Sequence, residues 1–170
     1  AIEAYRQAIA VNPRYSYPYN GLGSALHFLG RNKEAIEAYR QAIAVDSKDI
    51  DPYNGLGNTL HFLGRENEAL EIFNKAISID PKCAYPYNGL GNTFQSLGRN
   101  EEAIEAYTRA IFIQPKYEDP YLGLGNSLKS LGRNKEAIEA YRKFVDLADK
   151  QKRGFWIKKA EQAIAELKNK

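Results

Sequence analysis

The sequence predicts an all-α fold, a stack of two-helix units closed by a terminal helix. Two observations carry that prediction. One segment recurs four times at a fixed spacing, and each copy holds two apolar stripes of helical period, separated by glycine and ended near proline. The copies open PYNGLGSALHFLG at Pro18, PYNGLGNTLHFLG at Pro52, PYNGLGNTFQSLG at Pro86 and PYLGLGNSLKSLG at Pro120, each 34 residues after the last. A pair of helices this short cannot bury its apolar face alone, so the copies must stack.

Residues 1–15 carry Ile2, Tyr5, Ile9 and Val11 and read as the second helix of a unit whose first helix is absent from this chain. Complete units then occupy residues 16–49, 50–83, 84–117 and 118–151. In the unit 50–83, Pro52 suits the first turn, where its missing N–H costs nothing, and Asp51 is the expected N-cap. Tyr53, Leu56, Gly57, Leu60 and Leu63 fall on one helical face before Gly64 ends the helix. The second helix shows Ala69, Phe73, Ala76, Ile77 and Ile79, and Pro81 stops it. Its exposed side carries i,i+4 charge pairs such as Glu71 with Lys75, and Glu105 with Arg109 in the next unit.

The pattern decays towards the end: Ser47 stands for the closing proline in the first complete unit, and in the last Phe144 replaces a small alanine and Asp149 the proline. Residues 152–170 are expected to form a capping helix with an apolar stripe of Trp156, Ala160, Ala163, Ile164 and Leu167 and a solvated outer face. A partner-binding amphipathic helix is the other reading of that segment.

Composition excludes several classes. With 170 residues, 44% hydrophobic and 26% charged, the chain has the makeup of a globular unit. Its net charge of +3 is spread without a basic block, which argues against nucleic acid. Cys83 is the sole cysteine, so it forms no intramolecular disulfide, and it has no neighbours at zinc-ligand spacing. No apolar run reaches the ~18 residues of a membrane span, and no leader pattern opens the chain. The start, AIEAYRQAI, lies inside a helical pattern and reads as part of something longer; the compartment stays open, with the cytoplasm as the leading expectation.

On these residues the unit resembles the tetratricopeptide repeat. The family pattern of an aromatic, Leu-Gly, a bulky residue, Gly, Ala, an aromatic, Ala and Pro is met by Tyr53, Leu56-Gly57, Leu60, Gly64, Ala69, Phe73, Ala76 and Pro81. The resemblance implies a right-handed α-solenoid whose first helices line a concave surface that receives extended peptides, through repeat positions two, five, nine, twelve and thirteen.

Position five holds Asn20, Asn54, Asn88 and Leu122, and position nine Ser24, Asn58, Asn92 and Asn126, so two amide rows are expected. An amide both donates and accepts, and a spaced series could hold a peptide backbone regardless of its side chains. This is similar to the asparagine ladder of the O-linked N-acetylglucosamine transferase family, although that ladder sits at position six, which is glycine here. Local and interhelix hydrogen bonds are the alternative use for these amides. Tyr17, His27, Phe28, His61, Phe62 and Tyr85 would make the first part of the groove aromatic, and Ser96, Lys129 and Ser130 the rest polar, which implies a ligand with an apolar end. The co-chaperone members of the family clamp a C-terminal carboxylate with Lys and Arg at positions two, five and six. This chain has neither residue at those positions in any complete unit, so a chaperone-tail ligand is not expected.

Gly23, Gly57, Gly91 and Gly125 share the apolar face and would admit a neighbouring helix. Gly21, Gly55, Gly89 and Gly123 lie off it and cost about 1 kcal/mol per helix relative to alanine, which suggests a close backbone approach or an open space at the surface. Nothing points to catalysis, a cofactor or a metal. His27 and His61 come without a nucleophile, and stacked equivalents about 8–10 Å apart cannot share a zinc ion. The glycines lack the spacing of a phosphate loop. The expected function is therefore a non-enzymatic protein-interaction module that binds an extended peptide. Self-association through residues 1–15, or service as the targeting arm of a larger enzyme such as a glycosyltransferase, are the alternatives.

Overall fold

The computed structural model describes residues 1–169, which form ten helices and no strand. In order these are α1 (Ile2–Val11), α2 (Ser16–Phe28), α3 (Asn32–Val45), α4 (Asp51–Phe62), α5 (Glu66–Ile79), α6 (Ala84–Ser96), α7 (Asn100–Ile113), α8 (Asp119–Ser130), α9 (Asn134–Leu147) and α10 (Lys150–Lys168). The fold is an all-α stack of helical hairpins. They group into two compact units, Ala1–Pro81 with α1–α5 and a second that begins at Lys82 with α6–α10.

Each hairpin turns at a glycine. Gly30, Gly64, Gly98 and Gly132 have φ of 74°, 70°, 72° and 72°, in the left-handed region where a Cβ is costly. At the end of α2 the amide of Arg31 reaches the Leu26 carbonyl at 2.9 Å and that of Gly30 the His27 carbonyl at 2.9 Å, which satisfies carbonyls the helix itself leaves free. The arginine after each glycine then folds over the first turn of the second helix onto the glutamate three residues on: Arg31–Glu34, Arg65–Glu68, Arg99–Glu102 and Arg133–Glu136. This recurrent staple lies outside the expected i,i+4 pairs. Of those, Lys75–Glu71 forms at 2.7 Å, whereas Arg109 lies over the rings of Phe112 and Tyr87.

The expected N-cap needs correction. Asp51 is the first residue of α4 and Ile50 its N-cap, with no side-chain cap bond; Asp51 still sits in the first turn, where negative charge is favourable. Asp119 likewise lies inside α8, and its carboxylate accepts from Arg153 at 2.5 Å. Burial pushes the Asp119 carboxyl above its ordinary range, and Arg153 opposes the shift.

The recurrent off-face glycine now has a packing account. A Cβ on Gly55 would overlap the Tyr39 ring, and one on Gly23 would stand 2.7 Å from the same ring. Tyr107 is enclosed in the same way by Gly91 and Gly123, and the ring of Tyr5 in α1 fills the Cβ position of Gly21. The second-helix aromatic of one hairpin is thus wedged between a glycine of its own first helix and a glycine of the next. Close approach, not open surface, explains the glycine.

The unit from Lys82 onward closes on α10. Its core gathers Leu128, Tyr141, Phe144, Ile157, Ala160 and Leu167, with Ala163 and Ile164 packed at the margin. Asp149, which stands where the repeat pattern has proline, caps α10 by accepting from the Gln151 amide at 2.9 Å and the Lys152 amide at 3.4 Å. The helix therefore starts at Lys150 and buries Ile157 in place of the expected Trp156, which stays 45% exposed.

Candidate functional site

In the unit 1–81, α2 and α4 lie side by side, and an open cleft of about 620 Å³ runs between them, lined by Ser24, His27, Phe28, Tyr39, Asn58 and Phe62. Phe28 is 89% exposed and Phe62 69%, although both sit on helices with apolar faces available for burial. The His27 ring meets the edge of Phe62 at 5.6 Å between centroids, with planes at 90°. Its Nδ1 is 2.8 Å from Asn32 Oδ1 at the start of α3, and His61 Nδ1 is 2.8 Å from Glu66 Oε2 at the start of α5. Each imidazole is thereby turned towards its own hairpin. Tyr17 is exposed and stacks on Tyr15, 6.0 Å away.

The two amide rows are used unequally. At position nine the second-helix tyrosine of the same hairpin donates its hydroxyl: Tyr39 to Ser24 Oγ at 3.2 Å, Tyr107 to Asn92 Oδ1 at 2.8 Å and Tyr141 to Asn126 Oδ1 at 2.8 Å. The hairpin α4–α5 has Phe73 instead, which has no hydroxyl to offer, and the exposed Asn58 keeps its amide uncommitted. Burial raises the hydroxyl pKa of Tyr39 against the pull of Ser24 and Thr59, and pushes Tyr141 up to about 12, with Glu166 adding to the rise.

Position five is not the solvent-facing row that its spacing suggested. Asn88 is only 9% exposed; its Nδ2 donates to Tyr117 Oη at 3.1 Å, and its Oδ1 is shut off from solvent. Asn54 Oδ1 is likewise buried, and Asn20 is half-buried. For Asn88 the reason is the entry turn of the following hairpin, where Tyr117 sits. Tyr85, half exposed, rests edge-on against Tyr117 at 5.2 Å.

Within the unit from Lys82, Gln95 occupies the place that His27 and His61 hold in theirs. Its Nε2 donates to the Gly123 carbonyl at 3.1 Å and to Ser127 Oγ at 2.8 Å, which ties α6 to α8 across the gap. Among the described residues there is no group of three or more His, Cys, Asp or Glu side chains that could hold a metal ion, and no helix is long and apolar enough to cross a membrane.

Family models place this geometry. The TPR repeat model matches residues 25–64 and 91–132, and the tetratricopeptide repeat model matches residues 50–83 and 119–151. The chain belongs to the tetratricopeptide repeat family. Solved structures agree on the fold. The crystal structure of MamA is 25% identical with a TM-score of 0.74 over 89% of each chain. A thermophilic TPR protein from Thermus thermophilus is 19% identical, with a TM-score of 0.83 over 96% of this chain and 89% of that one. YrrB, described as a TPR protein with an unusual peptide-binding site, is 23% identical with a TM-score of 0.71 over 86% of this chain and 76% of its own. No curated protein matches the sequence. Membership places the chain among protein-interaction modules.

Proposed function

We propose that this tetratricopeptide repeat chain is a non-catalytic adaptor whose α2–α4 face takes an extended peptide. The observation that carries the reading is the open cleft between those helices, where the uncommitted Asn58 amide stands beside Phe28 and Phe62. Asn58 can donate to and accept from a peptide backbone, while the exposed rings and His27 supply apolar contact for one side chain. Exposed aromatic area of this kind is what soluble surfaces otherwise keep small. Tyr17 extends the aromatic margin, and Asn20 and His61, both half-buried, are secondary contacts. Asn92 and Asn126, whose oxygens accept from Tyr107 and Tyr141, lie outside this cleft.

Panning a displayed peptide library on the full chain tests this. Enriched peptides should share an apolar residue, and Asn58→Ala with Phe62→Ser should weaken them by about tenfold, the loss of one good contact set. Both side chains are exposed, so the helical content should not change. Failure to enrich any peptide, or binding indifferent to both substitutions, would refute the assignment.

A further inference from the structure

We propose that the cleft between α8 and the closing helix α10 is a second binding site, specific for an acidic peptide segment that places an apolar side chain beside Trp156. It uses none of the residues on which the α2–α4 reading rests. The cleft has a volume of about 350 Å³, and its lining includes Leu122, Asn126, Lys129, Trp156 and Lys159. That is room for one large side chain, with polar groups around the rim.

Trp156 is free for this use because α10 packs through Ile157, Ala160 and Leu167, which leaves the indole as a wall of the cleft and 45% exposed. The polar rim is held in place by its own hydrogen bonds. The Tyr141 hydroxyl donates to Asn126 Oδ1 at 2.8 Å, so the Asn126 Nδ2 remains as a donor for a peptide carbonyl. Ser130 spends its proton on the Asn126 carbonyl at 3.0 Å and can still accept.

The charge around the cleft selects the ligand. Lys129 pairs with Glu166 at 3.1 Å, and that carboxylate is matched. The Lys159 ammonium stands 5.5 Å from the Phe155 ring and forms no ion pair among the described residues. Between the Asp149 cap and Glu161 the helix holds Lys150, Lys152, Arg153, Lys158 and Lys159 and no acid. Arg153 is occupied by Asp119 and Glu118, and of the lysines on α10 it is Lys159 that stands on the cleft wall. An ammonium outside any ion pair on the wall of a tryptophan-lined cavity is complementary to a carboxylate beside an apolar anchor. An anionic bilayer would answer the same charge, but a flat surface cannot fill a concave cleft or reach the Asn126 amide.

Trp156 is the only tryptophan of the chain, so its emission reports the site directly in the intact protein. The probe is an end-blocked peptide with one phenylalanine among glutamates; controls replace the glutamates by lysines or the phenylalanine by alanine. The expected result is a saturable change in emission that the lysine control does not produce, and that Lys159→Glu and the alanine control each weaken by about tenfold. Lys159 is exposed, and unchanged helical ellipticity would show that the variant is folded. The peptide titration should be unaltered by Asn58→Ala with Phe62→Ser, so the two proposed sites stand or fall separately. No saturable change, an equal response to the lysine control, or a response to phosphatidylserine vesicles with none to the peptide would overturn the proposal.

Discussion

Between α2 and α4 the position-twelve side chain is His27, which bonds back to Asn32 of its own hairpin; between α6 and α8 it is Gln95, which crosses to Gly123 and Ser127. The first gap is an open cleft with two exposed phenylalanines on its lining, and the second is bridged by hydrogen bonds. Position nine differs in the same sense. Phe73 leaves Asn58 unclaimed, whereas Tyr107 and Tyr141 claim Asn92 and Asn126. The backbone pattern is shared, with the same turn glycines, arginine staples and wedged rings. What separates an open face from a closed one is therefore two side chains per hairpin. A repeat array can vary its recognition surface at these places without disturbing the stack.

The largest effects should be common to both units, because they strike the shared scaffold. Tyr39→Ala and Tyr107→Ala each remove a buried ring from between two glycines and should cost about 3–5 kcal/mol in chemical denaturation, with similar values for the two. A clear inequality would mean that one unit relaxes around the loss and the other does not. Smaller, and opposite in sign between the units, are the hydroxyl exchanges. Phe73→Tyr should give Asn58 a partner, stabilise by about 1 kcal/mol and reduce peptide binding at α2–α4, while Tyr107→Phe should cost about 1 kcal/mol and release Asn92. If Phe73→Tyr leaves peptide binding intact, an uncommitted Asn58 is not what distinguishes that face.

The smallest effect is alkaline. Tyr141 and Tyr39 are raised above the ordinary tyrosine value of 10.0, so the folded state holds their protons more tightly than the unfolded chain. That contribution is complete below about pH 10 and is lost as the pH rises towards the folded value of about 12 for Tyr141. Melting temperature should therefore begin to fall above about pH 10, and Tyr141→Phe should flatten part of that decline.

Much of the fold is legible in the sequence, since the 34-residue period, the alternation of stripes and the turn glycines are local properties of the chain. The site is less so, because its decisive contacts join residues far apart. The use of Asn92 and Asn126 depends on tyrosines fifteen positions on, and the purpose of Gly55 on a ring of the preceding hairpin. A signal was present: a tyrosine recurs at 5, 39, 107 and 141, with phenylalanine at 73, in step with the glycines. In α10 four of the five expected stripe residues, Ala160, Ala163, Ile164 and Leu167, do pack inward, and only near the start of the helix does Ile157 take the place expected of Trp156.

The wedged rings have a consequence for building with these units. Each lock is split between two successive hairpins, the key supplied by one and half of the keyhole by the next, so a hairpin borrowed from an array with bulkier residues at the place of Gly55 would jam. Chimeras should therefore keep glycine at both places that flank the ring, the one in its own first helix and the one in the hairpin that follows.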